Sequence, residues 1–180
     1  MKLKSILLII FCIQAIILDA QETYKITYER FSNGKKVEEN NPIQVIANTK
    51  ETVIGKQQSF SYSSNYPDEM FYYTKTNPSI ISLITQFDPT NSIITNDSVA
   101  FNKSVFTISK ETKRILGLRC KKATTNINSN TIDVWFVDNM DLNASPTMVG
   151  MNLGFVLELT RNNNSTIRAC LLYTSPSPRD

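Results

Sequence analysis

The sequence predicts a mainly β protein built as an antiparallel, meandering sheet. Short segments alternate apolar and polar residues, which is the pattern of half-buried strands. Turns rich in Asn, Gly and Ser separate these segments. The chain has 180 residues, of which 41% are hydrophobic and 19% charged, as expected for one globular domain with a core.

The first twenty residues have the layout of a secretory signal peptide. Lys2 and Lys4 form a basic start, the apolar run SILLIIFCIQAIIL follows, and Leu18 and Ala20 stand at the −3 and −1 positions of a cleavage site. A membrane anchor is the alternative, but the run is shorter than the roughly 20 apolar residues of a spanning helix. We therefore expect residues 1–20 to be removed, export of the protein, and no transmembrane span after cleavage.

The N-terminal half begins with a clear strand. TYKITYER places Tyr24, Ile26 and Tyr28 on one face, and Asn33-Gly34 suits the turn that follows. QQSFSYSSNYPDE, over residues 57–69, is polar and predicts a loop. Further strands are predicted at PIQVIAN (42–48), TVIG (52–55), EMFYYTK (69–75) and SIITN (92–96).

The segment NPSIISLITQF, residues 77–87, fits two structures. Asn77-Pro78 resembles a helix start, and Ile80, Leu83, Ile84 and Phe87 have helical spacing. The β-branched residues and the closing Asp88-Pro89 favour a strand instead. We expect a strand, with one short helix as the alternative.

The C-terminal half predicts further strands. Glu111-Thr112-Lys113 is expected to be a polar turn, and Gly117 to mark a bulge or a close backbone approach within the next strand. Trp135 faces away from Val134 and Phe136, so both faces of its strand should be covered. The strands are SVFTISK (104–110), RILGLRCKKATTN (114–126), TIDVWFVD (131–138), NLGFVLELT (152–160) and STIRA (165–169).

One predicted strand carries an apolar stripe. Alternation places Leu153, Phe155, Leu157 and Leu159 on a single face. A curl of the sheet, a helix or a ligand must cover such a face. The stripe is therefore either packed core or the binding surface for a lipid-like ligand or a partner's hydrophobic segment.

The last eleven residues, CLLYTSPSPRD, differ abruptly from the rest of the chain. They resemble an in-frame translation of a transposase adapter used in sequencing libraries; a flexible Ser-Pro tail is the alternative. We expect residues 170–180 to be foreign to the protein, and 21–169 to be a single β-rich domain that is incomplete at its C-terminus.

The composition excludes several kinds of chemistry. The chain has no histidine, which excludes Ser-His-Asp and Cys-His catalysis and the common zinc sites with histidine ligands. Cys120 alone would remain in the mature domain and is expected to be a small buried side chain. No nucleotide-binding glycine motif is present, and the net charge of +3 does not indicate nucleic acid. We expect no metal and no cofactor.

Residues 106–159 resemble the GLPGLI family of exported Bacteroidota proteins. The matching segments are FTISKETKRILGLRCKKA, DVWFVDNMDLNASP and GMNLGFVLEL, although the namesake motif lacks its first glycine and its proline. The residues that match are Glu111, Thr112, Lys113, Ile115, Gly117, Cys120, Lys122, Ala123, Trp135, Phe136, Pro146 and Gly154.

The resemblance implies a compartment and a shape. The protein would be periplasmic, extracellular or associated with the outer membrane, and its sheet would curve into a half-barrel. Together with the composition, this predicts a non-enzymatic envelope protein that binds an apolar ligand or hydrophobic segment. The alternatives are a structural or protein-interaction role in the cell envelope, and a hydrolase using carboxylates such as Asp68 with Glu69 or Asp138 with Asp141.

Overall fold

The structure is a computed structural model that describes residues 22–61, 65–98 and 105–175. Two 3₁₀ turns, Gln57–Phe60 and Met151–Leu153, accompany twelve strands of one sheet. The strands are β1 Thr23–Ser32, β2 Lys35–Lys36, β3 Ile43–Ala47, β4 Glu51–Lys56, β5 Asp68–Thr74, β6 Ile81–Gln86, β7 Ser92–Asp97, β8 Thr107–Ile115, β9 Leu118–Ile127, β10 Asn130–Val137, β11 Phe155–Arg161 and β12 Ser165–Ser175.

The sheet is open and antiparallel, with the order β7-β6-β5-β4-β3-β1-β12-β11-β10-β9-β8. The short strand β2 pairs only with β1. Most neighbours in the sheet are also neighbours in sequence, and β1 joins the two halves by pairing with both β3 and β12. The prediction of a mainly β, antiparallel, meandering sheet is confirmed.

The ambiguous segment 77–87 contains β6, and the strand prediction is confirmed there. Ile81–Gln86 pairs with both β5 and β7, so the backbone groups of this segment are used in the sheet ladder and not in a helix. The helical alternative is wrong.

The last strand is longer than predicted. β12 continues through Ser175, which pairs with Thr23 of β1, so the expectation that the strand stops at Ala169 is wrong. Backbone pairing depends little on side chains, and the first residues of β1 find their partners in this extension. The adapter origin of residues 170–180 stays a prediction. The predicted signal peptide and residues 176–180 lie outside the described residues.

The predicted strand 114–126 is in fact a hairpin between β8 and β9. Ile115 pairs with Leu118, and the turn residues Leu116 and Gly117 both have positive φ, of 49° and 80°. A two-residue turn of this kind matches the twist of the strands that it joins. Gly117 is therefore a turn residue and not a bulge. Glu111-Thr112-Lys113, expected to be a turn, lies inside β8.

A bulge divides the apolar stripe. Trp135 of β10 pairs with Glu158 and Phe136 pairs with Val156, which leaves Leu157 without a partner on β10. An extra residue shifts the alternation of the strand. Phe155 and Leu157 therefore belong to one buried cluster while Leu159 belongs to another, and Leu153 lies before the strand in a 3₁₀ turn. The prediction that the four residues share one strand face is wrong.

Two hydrophobic clusters form the core. The larger contains Ile26, Tyr28 and Val45 from the N-terminal strands together with Phe155 and Leu157 from β11. The Tyr28 hydroxyl donates to the Val156 carbonyl at 2.8 Å, which ties β1 to β11. The smaller cluster lies around Val134, Phe136 and Leu159.

Candidate functional site

An open cleft of about 680 Å³ lies over one end of strands β3 to β6. Its volume falls within the range of small-ligand and peptide sites. Most of its surface is apolar, and this lining comes from Ile43, Ile54, Phe71, Phe87, Pro67 and Pro146.

Strand register explains why these side chains converge. Directly paired antiparallel residues share a face, as do alternate residues along a strand. Val45 pairs with Ile54, and Ile54 pairs with Phe71, so these residues and Ile43 point to the same side. Each strand thus contributes an apolar side chain to one continuous surface.

The same rule places three polar side chains on this surface. Lys56 pairs with Ile43, and Glu69 pairs with Thr85. All three polar residues line the cleft. Gln58 and Asp68 also line the cleft, at its rim. The cleft therefore combines an apolar floor with several polar and charged side chains, which suits a ligand with apolar side chains and polar backbone groups.

The 3₁₀ turn Gln57–Phe60 packs against the opposite side of these strands. A Cβ on Gly55 would meet Phe60 and Met70 at 3.2 Å, so glycine lets the turn approach β4 closely. Asp68 is 5% exposed, and its Oδ1 accepts hydrogen bonds from Ser59 Oγ at 2.8 Å and from the Glu69 amide at 3.1 Å. No described residue donates a hydrogen bond to its Oδ2. These contacts hold the rim of the cleft in place.

Phe87 forms an exposed wall of the cleft at the end of β6, and the next turn fixes its position. The Asp88 carboxylate accepts hydrogen bonds from the amides of Thr90 and Asn91 at 2.8 and 2.9 Å and from Asn91 Nδ2 at 2.7 Å. The Asn91 and Thr90 side chains lower the pKa of Asp88 to about 2. The turn is thus held by an ionised carboxylate, and Phe87 remains 49% exposed.

Pro146 is brought to the cleft by the segment between β10 and β11. Thr52 Oγ1 donates to the Asn143 carbonyl at 2.5 Å, and Ser145 Oγ donates to the Val149 carbonyl at 2.7 Å. Ser145 is fully buried. Among the residues that the family resemblance singled out, Pro146 is the one that lines this cleft.

Two of the other motif residues, Lys113 and Trp135, lie in an ion-pair cluster with Glu158 of β11 and Arg168 of β12. Glu158 is 4% exposed, and its carboxylate lies 2.7 Å from Lys113 Nζ and 2.5 Å from Arg168 Nε. Lys113 Nζ also lies 4.3 Å from the centre of the Trp135 ring. A buried carboxylate with two cationic partners is an electrostatically satisfied arrangement, and the Trp135 ring is covered in part by Lys113. The expectation that both faces of β10 are covered therefore agrees with the structure.

The remaining motif residues have structural positions. Lys122 lies 3.3 Å from Asp133 and 3.6 Å from Glu111, and its hydrogen bond to Asp133 raises the pKa of the lysine. Cys120 is fully buried, and burial raises the pKa of its thiol, which favours the unreactive form. Ala123 and Phe136 lie in the core, Thr112 is exposed on β8, and Gly154 lies in the turn before β11.

The apolar stripe does not line the cleft. Phe155 and Leu157 have no exposed surface, Leu159 is 7% exposed, and Leu153 packs on the smaller cluster. The chain's own side chains cover these residues, so the packed-core interpretation describes their environment.

The candidate carboxylate pairs do not converge. Asp138 pairs with Lys121 at 2.5 Å, whereas Asp141 pairs with Lys75. Asp68 and Glu69 are adjacent on β5 and therefore point to opposite faces. Within the described ranges, no group of three acidic or cysteine side chains could hold a metal, and no helix is long and apolar enough to cross a bilayer.

Sequence reasoning missed the cleft. The sequence pattern places Ile43, Ile54 and Phe71 in strands, Pro67 in a loop and Phe87 in the ambiguous segment, and Pro146 is singled out only through the family resemblance. The one local signal was an aromatic residue directly before the Asp88-Pro89 turn. The convergence itself depends on strand register, which the sequence pattern leaves open.

Comparisons with known proteins agree on one family. The family model described as the N-glycanase peptide, N-terminal domain, matches residues 26–174. Two solved structures of PNGF-II, in different crystal forms, are 30% identical to the chain and superpose with TM-scores of 0.80 and 0.81. Each match covers 88% of this chain and 29% of the PNGF-II chain. The search of curated proteins finds no significant match.

The fold and the family match define a β-rich module of the kind found as the N-terminal domain of N-glycanases. The chain belongs to the family of N-glycanase peptide N-terminal domains, because the match spans most of its length. It spans less than a third of the length of the PNGF-II chains that it matches. Membership in the GLPGLI family stays a prediction.

Proposed function

We propose that the protein is an exported, non-catalytic module that acts with a peptide-N-glycanase-type catalytic domain and binds the polypeptide part of an N-glycosylated substrate in the cleft. The family match as an N-terminal domain of N-glycanases is the observation that carries this proposal. The relatives are more than three times longer than the matched region, which leaves room for catalysis elsewhere in such proteins.

The chemistry of the cleft favours polypeptide over sugar as the ligand. Its wall and floor are Phe87, Phe71 and Ile54, which offer apolar contact area and few hydrogen-bonding groups. Unfolded polypeptides expose apolar side chains, whereas glycans mainly present hydroxyl groups. Lys56, Asp68 and Glu69 add charges of both signs to the lining, so the cleft does not select a ligand of one charge.

The environments of two reactive groups, the Glu158 carboxylate and the Cys120 thiol, support a binding role. The buried carboxylate Glu158 is neutralised by Lys113 and Arg168, and the thiol of Cys120 is buried. Lys56, Glu69 and Thr85, the polar side chains on the cleft face, lie on three different strands, as suits a binding surface spread along a ligand.

Binding of unfolded ribonuclease tests the proposal. Reduced and carboxymethylated ribonucleases A and B share one polypeptide, and only B carries an N-glycan. We expect both to bind the purified protein with similar affinity in titration calorimetry. Phe87→Ser should weaken both by about tenfold, because it removes a half-exposed aromatic wall of the cleft.

Ile108→Ser is the matched control, because Ile108 is 58% exposed and lies at the opposite edge of the sheet. It should leave binding unchanged. Binding of ribonuclease B alone would show glycan recognition and contradict the cleft as a polypeptide site. A fluorescent fatty acid provides a third arm: if it binds and the ribonucleases do not, a lipid-like ligand replaces the polypeptide.

A further inference from the structure

Among the described strands, β7 forms one edge of the sheet. Its backbone pairs with β6 through six consecutive residue pairs without a bulge. All its side chains are exposed, including Ile93 at 58% and Ile94 at 62%. In an edge strand, alternate backbone amides and carbonyls point away from the sheet and can pair with another chain.

The other edge, β8, has the usual protection against such pairing. Its sequence TISKETKRI carries four charged side chains, and its register is irregular between Ile108 and Thr112. Charged residues and bulges are the devices by which natural edge strands avoid adding a further strand. β7, with the sequence SIITND, has one charged residue at its end and neither device in its interior. The contrast identifies β7 as the edge that is open to a partner strand.

The open edge continues the surface of the cleft. Ile93 pairs with Thr85, which lines the cleft, so both side chains lie on the cleft face of the sheet. Ile94 pairs with Ile84 and lies on the opposite face. A strand added beside β7 would therefore place every second side chain next to Ile93 at the margin of the cleft.

We propose that β7 binds an extended segment of unfolded polypeptide by strand addition. Backbone hydrogen bonds to β7 supply affinity for many sequences, and alternate apolar side chains of the segment pack over Ile93 toward the cleft. This inference rests on the proposed function and specifies its mode of binding. The occupant is an unfolded polypeptide because the edge adjoins an apolar cleft and carries little charge.

Three peptides of one sequence test the backbone contribution. The first is a fluorescein-labelled peptide in which threonine alternates with valine and phenylalanine, and the second has the same sequence with N-methyl groups on alternate amides of one edge. A third peptide carries the N-methyl groups on the opposite set of amides, since either edge of the peptide could face β7. Fluorescence polarisation should show at least about tenfold weaker binding of the analogue whose methylated edge faces β7, because two or more hydrogen bonds are lost.

The outcomes separate this inference from the proposed function. Equal binding of all three peptides overturns strand addition and leaves the cleft as a side-chain site. No binding of any peptide, together with no binding of the ribonucleases, overturns both.

Two edge variants localise the binding site. Ile93→Lys introduces the kind of side chain that protects natural edges, and we expect it to weaken binding of the unmethylated peptide by about tenfold. Ile108→Lys makes the same change at the same 58% exposure on β8 and should have no effect. Equal loss in both variants would contradict a site at β7. Sedimentation of the protein and of the Ile93→Lys variant tests whether β7 pairs with a second copy of the chain. A dimer that the variant abolishes, together with unchanged peptide binding by the variant, also overturns the inference.

Discussion

At the residue scale, Gly154 and Gly34 differ in how strongly the structure requires glycine. Gly154 has φ +123°, and a Cβ there would lie 2.7 Å from the Val137 carbonyl oxygen. Gly34 also has positive φ, of +78°, but nothing lies within 4 Å of its would-be Cβ. Both positions require a positive φ, which glycine adopts without strain, but of the two only Gly154 also lies too close to another backbone atom for a Cβ to fit. This geometry is the physical reason why glycine stands at position 154.

We expect Gly154→Ala to lower the free energy of unfolding by about 3 kcal/mol, because strain and a backbone clash combine. Gly34→Ala should cost only about 1 kcal/mol, from conformational strain alone. Urea denaturation followed by circular dichroism measures both values. Equal losses in the two variants would mean that the close approach to Val137 is not important for stability.

At the element scale, two hairpins have two-residue turns of the same backbone conformation but of different sequence. Asn33-Gly34 joins β1 and β2, and Leu116-Gly117 joins β8 and β9; the first residue of each turn has φ 49°. Asparagine tolerates this conformation better than leucine does. The turn at Asn33-Gly34 was therefore predicted correctly. Leu116 is not a typical turn residue, so one long strand was predicted where the structure has the hairpin of β8 and β9.

We expect Leu116→Asn to raise the free energy of unfolding by about 1 kcal/mol, because asparagine relieves strain at an exposed turn position. The reciprocal change Asn33→Leu should lower it by about the same amount. Thermal unfolding of the two variants beside the unmodified protein measures the shifts. If both changes lower the melting temperature, turn strain is not what distinguishes the two hairpins.

At the scale of the whole molecule, the two halves of the sheet share one core. The larger cluster contains residues of β1 and β3 to β6 together with residues of β8 to β12. Tyr28 on β1 contacts β11 by its hydroxyl group and is completely buried, which raises the pKa of its phenol. Neither half can therefore unfold without exposing apolar surface of the other.

Unfolding should accordingly be a single transition. Fluorescence of the only tryptophan, Trp135, reports on the C-terminal half, and far-ultraviolet circular dichroism reports on all strands. We expect the two urea curves to coincide. Tyr28→Phe should shift both equally, by about 1 kcal/mol for the lost hydrogen bond, while Tyr24→Phe, whose hydroxyl bonds Glu22 at the surface, should shift neither. Separate midpoints would show that the halves unfold independently.

Local patterns in the sequence were sufficient to predict the β class, most strand positions and several turns. Alternation along TYKITYER and turn residues such as Asn33-Gly34 act over a few residues, so they can be interpreted without knowing the partner strands. The interpretation of the segment 77–87 as a strand has the same basis. Those features were determined by the sequence alone.

Tertiary structure decided the rest, because it depends on which strands pair and in what register. The bulge at Leu157 separates Leu159 from Phe155 and Leu157, and no feature of NLGFVLELT reveals it. The cleft brings Phe71 and Pro146 together from distant parts of the chain, and the open edge at β7 exists only because of the strand order. Long-range pairing determines which apolar side chains become core and which remain available for binding.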